Sequence, residues 1–383
     1  MSGPLAELLL DTLRLAPPSD PQELARRWST PNVAARAGGI AAWIAWEQAE
    51  QWLLRRLADC GALAVVPPTL AAALQQAARR DAKAGLAVDA DAAHVLREIA
   101  ALGVPCVLLK GPARRASADQ LPLADARLTR DVDVLVPATE AERLWRHFRS
   151  RGYVPYQFDP EHLPPGESEV QGPSPYHLRT LVRPGGAAVE LHLSTERDLR
   201  PTEAWNRLWS AARTVRWQGL DARVPSFTEL VWSALTHADV ADSARWSLRY
   251  WLDAASVIAA QPVDWATIAA RLATAATGSR TLALSWLSVA FRLAGAECPP
   301  EVRAQDPPHL EGMVAWRLAV LSRFGRLRGW RDKLLDEGTR ASVGLPLASL
   351  VGGRAWPIHL RRRAACLAAR STYLAWRYAR RGA

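Results

Sequence analysis

The sequence predicts an α+β fold, in which a mixed sheet is flanked by N-terminal and C-terminal helical regions. Apolar residues recur at helical spacing before residue 88 and after residue 226, as expected for helices that bury one face. Between these regions, from Asp89 onward, helical patterns alternate with short apolar strands. A Pro-Gly-Gly turn at residues 184–186 joins two of these strands into a predicted hairpin.

The chain has 383 residues, which is too long for one ordinary hydrophobic core. We predict a helical region over residues 1–88, an α+β domain over residues 89–225 and a second helical domain over residues 226–340. In this division a connector and an Arg-rich amphipathic tail occupy residues 341–383.

The composition is that of a folded protein from a reducing compartment. An apolar fraction of 49% with 22% charged residues argues against disorder. The four cysteines have no paired spacing, which argues against a disulfide framework and a zinc site. No stretch reaches the roughly 18 uninterrupted apolar residues of a membrane span, and the N-terminus lacks the basic start of a signal peptide. We therefore expect a cytoplasmic protein without a transmembrane segment.

The net charge of +10 is concentrated at one end of the chain. Nine arginines and no acidic residue follow Glu337, so the rest of the chain is close to neutral. The tail has an apolar stripe at helical spacing and is interpreted as a solvated helix on the C-terminal domain. Binding of a membrane surface or a polyanion by the tail is the less favoured alternative.

The N-terminal region is predicted to be helical throughout. Asp20 has the position of an N-cap, because Pro21 follows it at the first helical position. Apolar spacing predicts further helices over residues 41–57 and 69–83, with a Pro-Pro pair between them. No chemical motif occurs here, so we interpret the region as a helical cap on the next domain.

The central domain is predicted to alternate helix and strand. Its first elements are a helix over residues 89–102, a strand over 104–109, a helix over 112–118, and strands over 131–136 and 153–158. Thr139 and Glu142 have the spacing of a capping box that starts another helix. The hairpin strands cover residues 177–183 and 187–193, and residues 214–224 add a last strand or two.

The C-terminal region is again predicted to be helical. Ser226 and Glu229 have the spacing of a second capping box. The helices that follow are predicted over residues 227–240, 246–260, 264–275, 280–294 and 310–335. Most of the 17 tryptophans lie at amphipathic positions in helical segments, so we interpret them as packing residues and not as a platform for stacked bases.

Three carboxylates have the arrangement of a metal site. Asp131 and Asp133 begin one strand and point to the same side, because alternate residues of a strand share a face. Adjacent carboxylates on one face repel each other unless a cation lies between them. Glu190, on the face of a later strand, is the third candidate ligand. Such a set suits one or two Mg²⁺ ions, which prefer oxygen ligands and share them with nucleotide phosphates.

A phosphate-binding turn is predicted at Lys110 and Gly111, between a strand and a helix. Gly111 allows backbone N–H groups to approach a phosphate, and Lys110 adds a positive charge. Arg127 and Arg130 flank the aspartates. They either neutralise a triphosphate further or pair with the aspartates themselves.

These residues resemble a known family. L-L-K-G, then R-x-x-x-D-V-D-V-L-V, then V-E-L-H are similar to motifs of the bacterial uncharacterised nucleotidyltransferases in the DNA polymerase beta superfamily. The resemblance covers residues 89–193, and more loosely L-T-H at residues 235–237 and L-R-Y-W-L-D at residues 248–253. It implies a polymerase-beta-like nucleotidyltransferase domain over residues 89–225. It also implies the roles of the site residues: metal ligands at Asp131, Asp133 and Glu190, and a triphosphate contact at Lys110 with Gly111.

The resemblance implies transfer of an NMP from ATP or another NTP to an acceptor hydroxyl or phosphate, with two Mg²⁺ ions. Members of the family occur near genes for peptide natural products, including lasso peptides, which implies tailoring of a peptide or small molecule. Two alternatives remain open: a toxin-like transferase that acts on tRNA or protein, and a non-catalytic nucleotide-binding module. Nucleic acid is a less favoured partner, because the basic charge lies in the tail.

The chain departs from the superfamily pattern at Pro112, where a Ser or Gly is usual after the glycine. One hydroxyl and one backbone donor are therefore missing, and we expect weaker nucleotide binding. His192 shares a face with Glu190 and either orients it, contacts the acceptor or is an ordinary sheet histidine. His237 and Asp253 either line a cleft between domains or form a buried pair.

Overall fold

The computed structural model describes residues 3–156, 168–171, 176–196, 199–236, 247–275 and 277–305. The predicted helix over residues 310–335 and the tail over residues 341–383 lie outside this part of the chain, as does His237. Among the described helices, none combines the length and the apolar character needed to cross a membrane.

The N-terminal region is helical, as predicted. Its helices are α1 (Gly3–Leu13), α2 (Pro21–Trp28), α3 (Pro31–Trp46), α4 (Glu50–Asp59) and α5 (Pro68–Ala101). The predicted cap of α2 is confirmed: the Glu23 N–H donates to Oδ1 of Asp20 at 2.9 Å. This bond satisfies one of the N–H groups that the first turn of a helix leaves without an internal acceptor.

Two helix boundaries in this region were predicted wrongly. Residues 41–57 do not form one helix, because the chain breaks between α3 and α4, where Gln48 has a φ of 55°. Next to the break, the buried Glu47 accepts the N–H of Leu248 at 2.9 Å, a long-range contact that local spacing does not reveal. Conversely, α5 is continuous through the residues that were predicted as two helices. The boundary between residues 88 and 89 falls inside α5, and the division into domains stays a prediction.

The mixed sheet is confirmed. It contains β1 (Val107–Leu108), β2 (Asp131–Leu135), β3 (Val154–Pro155), β4 (Leu181–Val182) and β5 (Ala188–His192), in the order β1-β2-β5-β4-β3. Strands β2 and β5 are parallel and the other neighbours are antiparallel. On one face, Val132, Val134, Val189 and Leu191 are buried in the main hydrophobic core. The opposite face carries the acidic side chains.

Three shorter elements surround β2: helix α6 (Lys110–Ala116), a 3₁₀ turn (Ala124–Ala126) and helix α7 (Ala138–Ser150). Helix α6 begins two residues earlier than predicted, so Lys110 and Gly111 lie in its first turn. The predicted capping box at Thr139 is wrong. Helix α7 has Pro137 at the N-cap position and no side-chain cap, and Thr139 is exposed.

The remaining elements connect the sheet to the C-terminal helices. They are α8 (Pro201–Ser210), β6 (Arg213–Trp217), β7 (Leu220–Val224), α9 (Phe227–Thr236), α10 (Ser247–Ala260), α11 (Trp265–Thr274), α12 (Thr277–Ala294) and α13 (Pro300–Arg303). The strand pattern over residues 214–224 is an antiparallel hairpin of β6 and β7. Helix α8 was not predicted. Its Pro at the first helical position and its buried Ala204 and Leu208 are the signal that was available.

The capping box at Ser226 is half confirmed. The Glu229 N–H donates to Oγ of Ser226 at 3.2 Å, as in a capping box. The Glu229 carboxylate is buried and instead pairs with Arg271 at 2.5 Å and with Arg207 at 3.4 Å. It therefore ties α9 to α11 and α8.

Candidate active site

The register between β2 and β5 brings Asp133 and Glu190 together with His192, whereas the third predicted ligand, Asp131, lies outside this group of ligand atoms. Asp133 lies directly opposite Glu190, and Asp131 lies opposite Ala188 two positions earlier. Parallel neighbours are about 4.8 Å apart, so the Asp133 and Glu190 side chains project side by side from one face. His192 follows two residues after Glu190 and shares this face.

Lys110 lies between the two opposed carboxylates. Its Nζ atom is 2.6 Å from Oδ1 of Asp133 and 3.5 Å from Oε2 of Glu190. The Lys110 and Glu190 side chains are 19% and 18% exposed, whereas Asp133 is 1% exposed. Lys110 and Glu190 are therefore partly accessible to solvent, whereas Asp133 is almost completely buried beneath them.

Two histidines complete the contacts around Glu190. His192 Nε2 is 2.8 Å from Oδ1 of Asp133 and 3.3 Å from Oε2 of Glu190. His177 Nε2 lies 3.8 Å from the same Glu190 oxygen. The hydroxyl of Thr180 donates to Oε1 of Glu190 at 3.1 Å. These contacts orient the Glu190 carboxylate from several sides.

The site holds two of its carboxylates ionised. Burial by itself raises the pKa of Asp133, but the Lys110 charge and the His192 hydrogen bond outweigh it, and the pKa is lowered. The pKa of Glu190 is also lowered, because His192 and Lys110 outweigh its burial. For Lys110, burial lowers the pKa, but the charges of Asp133, Glu190 and Asp131 raise it above its ordinary value. Both carboxylates are therefore charged at neutral pH.

Asp131 has a different environment. The negative charge of Asp133 and then burial raise the pKa of Asp131, and the Lys110 charge only partly opposes this rise. Asp131 is half-buried and forms no ion pair within the described residues. It is the carboxylate that a bound cation would relieve most from repulsion.

The residues present fit a divalent cation. Asp133, Glu190 and His192 each offer one ligand atom, and these atoms all lie within 4.8 Å of one another. Within the described part of the chain, Oδ2 of Asp133 is buried and accepts no hydrogen bond. Carboxylate oxygens are the preferred ligands of Mg²⁺ and Mn²⁺, whereas an imidazole nitrogen is more typical of Zn²⁺, Fe²⁺ or Ni²⁺ sites. His192 was predicted near the site but not among the ligands, and its shared face with Glu190 was the available signal.

The turn that carries Lys110 is tied to β2 by the backbone. The Leu109 N–H donates to the carbonyl oxygen of Asp133 at 2.9 Å. Lys110 itself has a φ of 47°, in the left-handed region that costs a non-glycine residue free energy. This backbone conformation directs α6 away from the strand at the point where the Lys110 side chain faces the carboxylates.

Gly111 is required by packing. A Cβ atom at this position would lie 2.4 Å from Nη1 of Arg127 and 2.5 Å from Oγ1 of Thr129. Both distances are far below van der Waals contact, so only glycine fits without movement of these side chains. The predicted contact of Gly111 with a triphosphate stays a proposal.

We expect Gly111→Ala to destabilise the protein by about 1 to 3 kcal/mol, because the added methyl group overpacks the Arg127 and Thr129 side chains. Gly39→Ala is the matched control. Gly39 is exposed on α3, where a Cβ would meet no neighbouring atom of the described residues within 4 Å. This control should stabilise the helix by about 0.4 to 1 kcal/mol. Urea unfolding of both variants measures the difference, and equal effects would contradict the packing role of Gly111.

Arg127 pairs with Asp253, and with neither aspartate of β2. Its Nε donates to Oδ2 of Asp253 at 2.9 Å. Arg114 lies beside this pair, with Nε 3.5 Å from Oδ1 of Asp253, and donates to the carbonyl oxygens of Asp253 at 2.6 Å and Leu230 at 3.1 Å. Asp253 is therefore buried in a cluster with two arginines, which was not predicted, and the predicted pairing of Asp253 with His237 falls outside the described residues. Arg130 is exposed and forms no ion pair with the described residues.

A comparison with known families identifies the family of this chain. A family model described as "Uncharacterised nucleotidyltransferase" matches residues 34–294, which is more than half of the 383-residue chain. The matched segment includes all of the candidate site residues. No curated protein matches the chain at a significant level. The chain therefore belongs to the uncharacterised nucleotidyltransferase family, a family of transferase enzymes.

Proposed function

We propose that this protein transfers an NMP from an NTP to an acceptor hydroxyl or phosphate, with two Mg²⁺ ions as cofactors. The observation that carries the proposal is the parallel register of β2 and β5. This register sets Asp133 opposite Glu190, with the Lys110 ammonium group between them. Membership of a nucleotidyltransferase family agrees with this use of the site.

The proposed roles follow from position and charge. Asp133 and Glu190 would hold the metal, and His192 either joins them as a ligand or orients Glu190. Asp131, at the start of the same strand as Asp133, would be a further ligand. Mg²⁺ bound there supplies stabilisation of the negative charge on the attacking and leaving oxygens. Lys110, which is 19% exposed, neutralises charge on the triphosphate.

The proposed reaction is a displacement at the α-phosphorus of the NTP. An acceptor oxygen forms a bond to the α-phosphorus of the NTP. The bond from the α-phosphorus to the oxygen that bridges to the β-phosphorus breaks, and pyrophosphate leaves with that electron pair. A hydroxyl acceptor gives its proton to a carboxylate of the site or to water. The protein contributes mainly position and charge, as is general for phosphoryl chemistry.

Arg127 and Arg130 differ in what they can contribute to nucleotide binding. Arg127 is buried and already paired with Asp253, so we propose that it supports the Gly111 turn from behind. Arg130 is exposed next to Asp131 and is the arginine that we propose for the triphosphate. The role of His237 as an acceptor contact remains a proposal from sequence.

The proposed acceptor is a small molecule or a peptide, because tailoring of peptide natural products is what the family resemblance implies. We also propose a cytoplasmic location. The described cysteines Cys60, Cys106 and Cys298 are free thiols, and burial raises the pKa of Cys106 to about 12. Such a thiol is unreactive, in agreement with a reducing compartment.

The test is a labelling experiment with the full chain. The protein is incubated with α-labelled ATP, CTP, GTP or UTP, Mg²⁺ and an extract of its own cell, and the labelled species are identified. We expect a labelled small molecule or peptide with wild-type protein and none with Asp131→Asn. A labelled tRNA or protein would favour the toxin-like alternative. Tight nucleotide binding without any transfer would favour the non-catalytic module and would refute the proposed function.

A further inference from the structure

We propose that the Lys110 ammonium group occupies the cation position between Asp133 and Glu190 and moves to the triphosphate when metal and nucleotide bind. Divalent-cation binding and nucleotide binding would then depend on each other. This inference rests on the proposed function, because it assigns that same site a way to bind its two ligands together. It concerns binding alone and needs no turnover to be tested.

Lys110 contacts the carboxylate oxygens that a metal ion would use. Oδ1 of Asp133 and Oε2 of Glu190 are contacted both by Lys110 Nζ, at 2.6 and 3.5 Å, and by His192 Nε2, at 2.8 and 3.3 Å. A divalent cation of the Mg²⁺ type lies about 2.0 to 2.1 Å from its oxygen ligands. A cation bound to these two oxygens competes with Nζ for the same oxygen atoms, and we infer that Lys110 withdraws.

The charge of Lys110 opposes the binding of a metal ion at Asp133. Asp133 is 1% exposed, so charges near it are only weakly screened by solvent. An ammonium group and a divalent cation on the same carboxylate repel each other strongly at this depth. Withdrawing Lys110 also leaves its charge without the partners that it has in the ligand-free protein, which costs free energy. A metal without nucleotide should therefore bind weakly.

A triphosphate would give Lys110 new partners in place of the Asp133 and Glu190 carboxylates. Lys110 has a flexible four-carbon chain with three rotatable donors, and its side chain is partly exposed at the mouth of the site. Its backbone is held by the Leu109–Asp133 hydrogen bond of 2.9 Å, so the side chain can turn without movement of the strand. Nucleotide phosphates at this mouth would accept the ammonium group that the metal displaces. Metal then favours nucleotide, and nucleotide favours metal by the same factor.

The experiment measures Mn²⁺ binding to the full chain by electron paramagnetic resonance, with and without an NTP analogue whose α,β-bridge is a methylene group. For wild-type protein we expect the analogue to tighten Mn²⁺ binding by roughly 5- to 150-fold, the usual range for coupled sites. Lys110→Met should bind Mn²⁺ alone about tenfold more tightly than wild type, because the competing charge is gone. The tightening by the analogue should be about tenfold smaller in this variant than in wild type, because only the direct contact of the phosphates with Mn²⁺ then couples the two ligands.

Lys83→Met is the matched control. Lys83 is exposed on α5, so the same loss of a lysine charge there should leave both the Mn²⁺ affinity and the coupling as in wild type. Far-UV circular dichroism checks that each variant is folded. If Lys110→Met does not fold, Lys110→Gln, which keeps a polar side chain but removes the charge, is measured in its place.

Two results would overturn the inference. One is wild-type protein that binds Mn²⁺ equally well with and without the analogue. The other is a folded Lys110→Met variant that binds Mn²⁺ no more tightly than Lys83→Met. Failure here is distinguishable from failure of the proposed function: transfer without coupling refutes only this inference, and coupling without transfer to any acceptor refutes only the proposed function.

Discussion

Asp131→Asn is expected to abolish nucleotide transfer while raising the stability of the metal-free protein. Loss of a metal ligand should remove several kcal/mol of transition-state stabilisation, which corresponds to a decrease in rate of roughly 10³-fold. Stability should rise because Asn removes the charge that Asp133 repels and breaks no ion pair within the described residues. Removal of a strained functional group commonly stabilises a protein at the expense of its activity.

The gain in folding stability from Asp131→Asn should depend on pH. The pKa of Asp131 is raised in the folded state, first by the charge of Asp133 and then by burial. The folded protein therefore binds a proton at Asp131 more readily than the unfolded chain does. The wild type loses stability as pH rises from the unfolded pKa of Asp131 to its folded pKa. The higher stability of Asp131→Asn relative to wild type should be complete above the folded pKa of Asp131. It should vanish below the unfolded pKa of about 3.9.

Asp133→Asn is the matched comparison, with the same substitution two residues along the same strand. It should also abolish transfer, but it should lower stability by about 3 kcal/mol or more, because Lys110 loses the charge of its buried partner. The measurements are NMP transfer and urea unfolding in EDTA. Undiminished transfer by either variant would refute the metal-ligand assignment. A less stable Asp131→Asn protein would show that Asp131 has a structural partner.

Period-two alternation was sufficient to predict the acidic face of the sheet. Asp131 and Asp133 are two residues apart in β2, and Glu190 and His192 are two residues apart in β5, so each pair shares a face whatever the strand's neighbours are. The register between the strands is not a local property. The contact between Asp133 and Glu190 joins residues more than fifty positions apart, and only the folded chain determines it.

The partners of the cationic residues could not be predicted for the same reason. The phosphate contact of Lys110 stays a prediction, and its two carboxylate partners in the structure were not predicted. Arg127 was considered as a partner of phosphate or of the neighbouring aspartates, whereas its partner Asp253 comes from a helix in the C-terminal region. Spacing indicates which face a residue lies on, but an ion pair across the core depends on how the helices pack.

Asp253→Asn is expected to have the largest effect on stability outside the metal site. The Asp253 carboxylate is buried between the Arg114 and Arg127 guanidinium groups. Removing one partner from such a buried cluster costs about 3 to 5 kcal/mol, because the remaining charges are left without compensation. Burial already lowers the pKa of Arg114 to about 10, which indicates that the cluster is largely excluded from water.

The control is Asp221→Asn, which removes the same charge from a pair with Arg216 in which both side chains are 69% exposed. An exposed pair of this kind contributes about 0 to 1 kcal/mol, so urea unfolding should separate the two variants clearly. Burial raises the pKa of Asp253, but the two buried arginines outweigh it and the net pKa is lowered. The stabilising contribution of Asp253 is therefore present above its unfolded pKa, and it is lost as pH falls through the folded pKa.

The consequence of Asp253→Asn should extend to the active site. Arg127 packs against Gly111, where a Cβ would lie only 2.4 Å from its guanidinium group, and Gly111 follows the turn that carries Lys110. Without Asp253, Arg127 loses the contact that holds it behind this turn, so we expect nucleotide affinity to fall together with stability. Titration with the methylene analogue under conditions where the variant is folded measures this effect. Unchanged affinity would confine Asp253 to a purely structural role in joining α10 to the sheet domain.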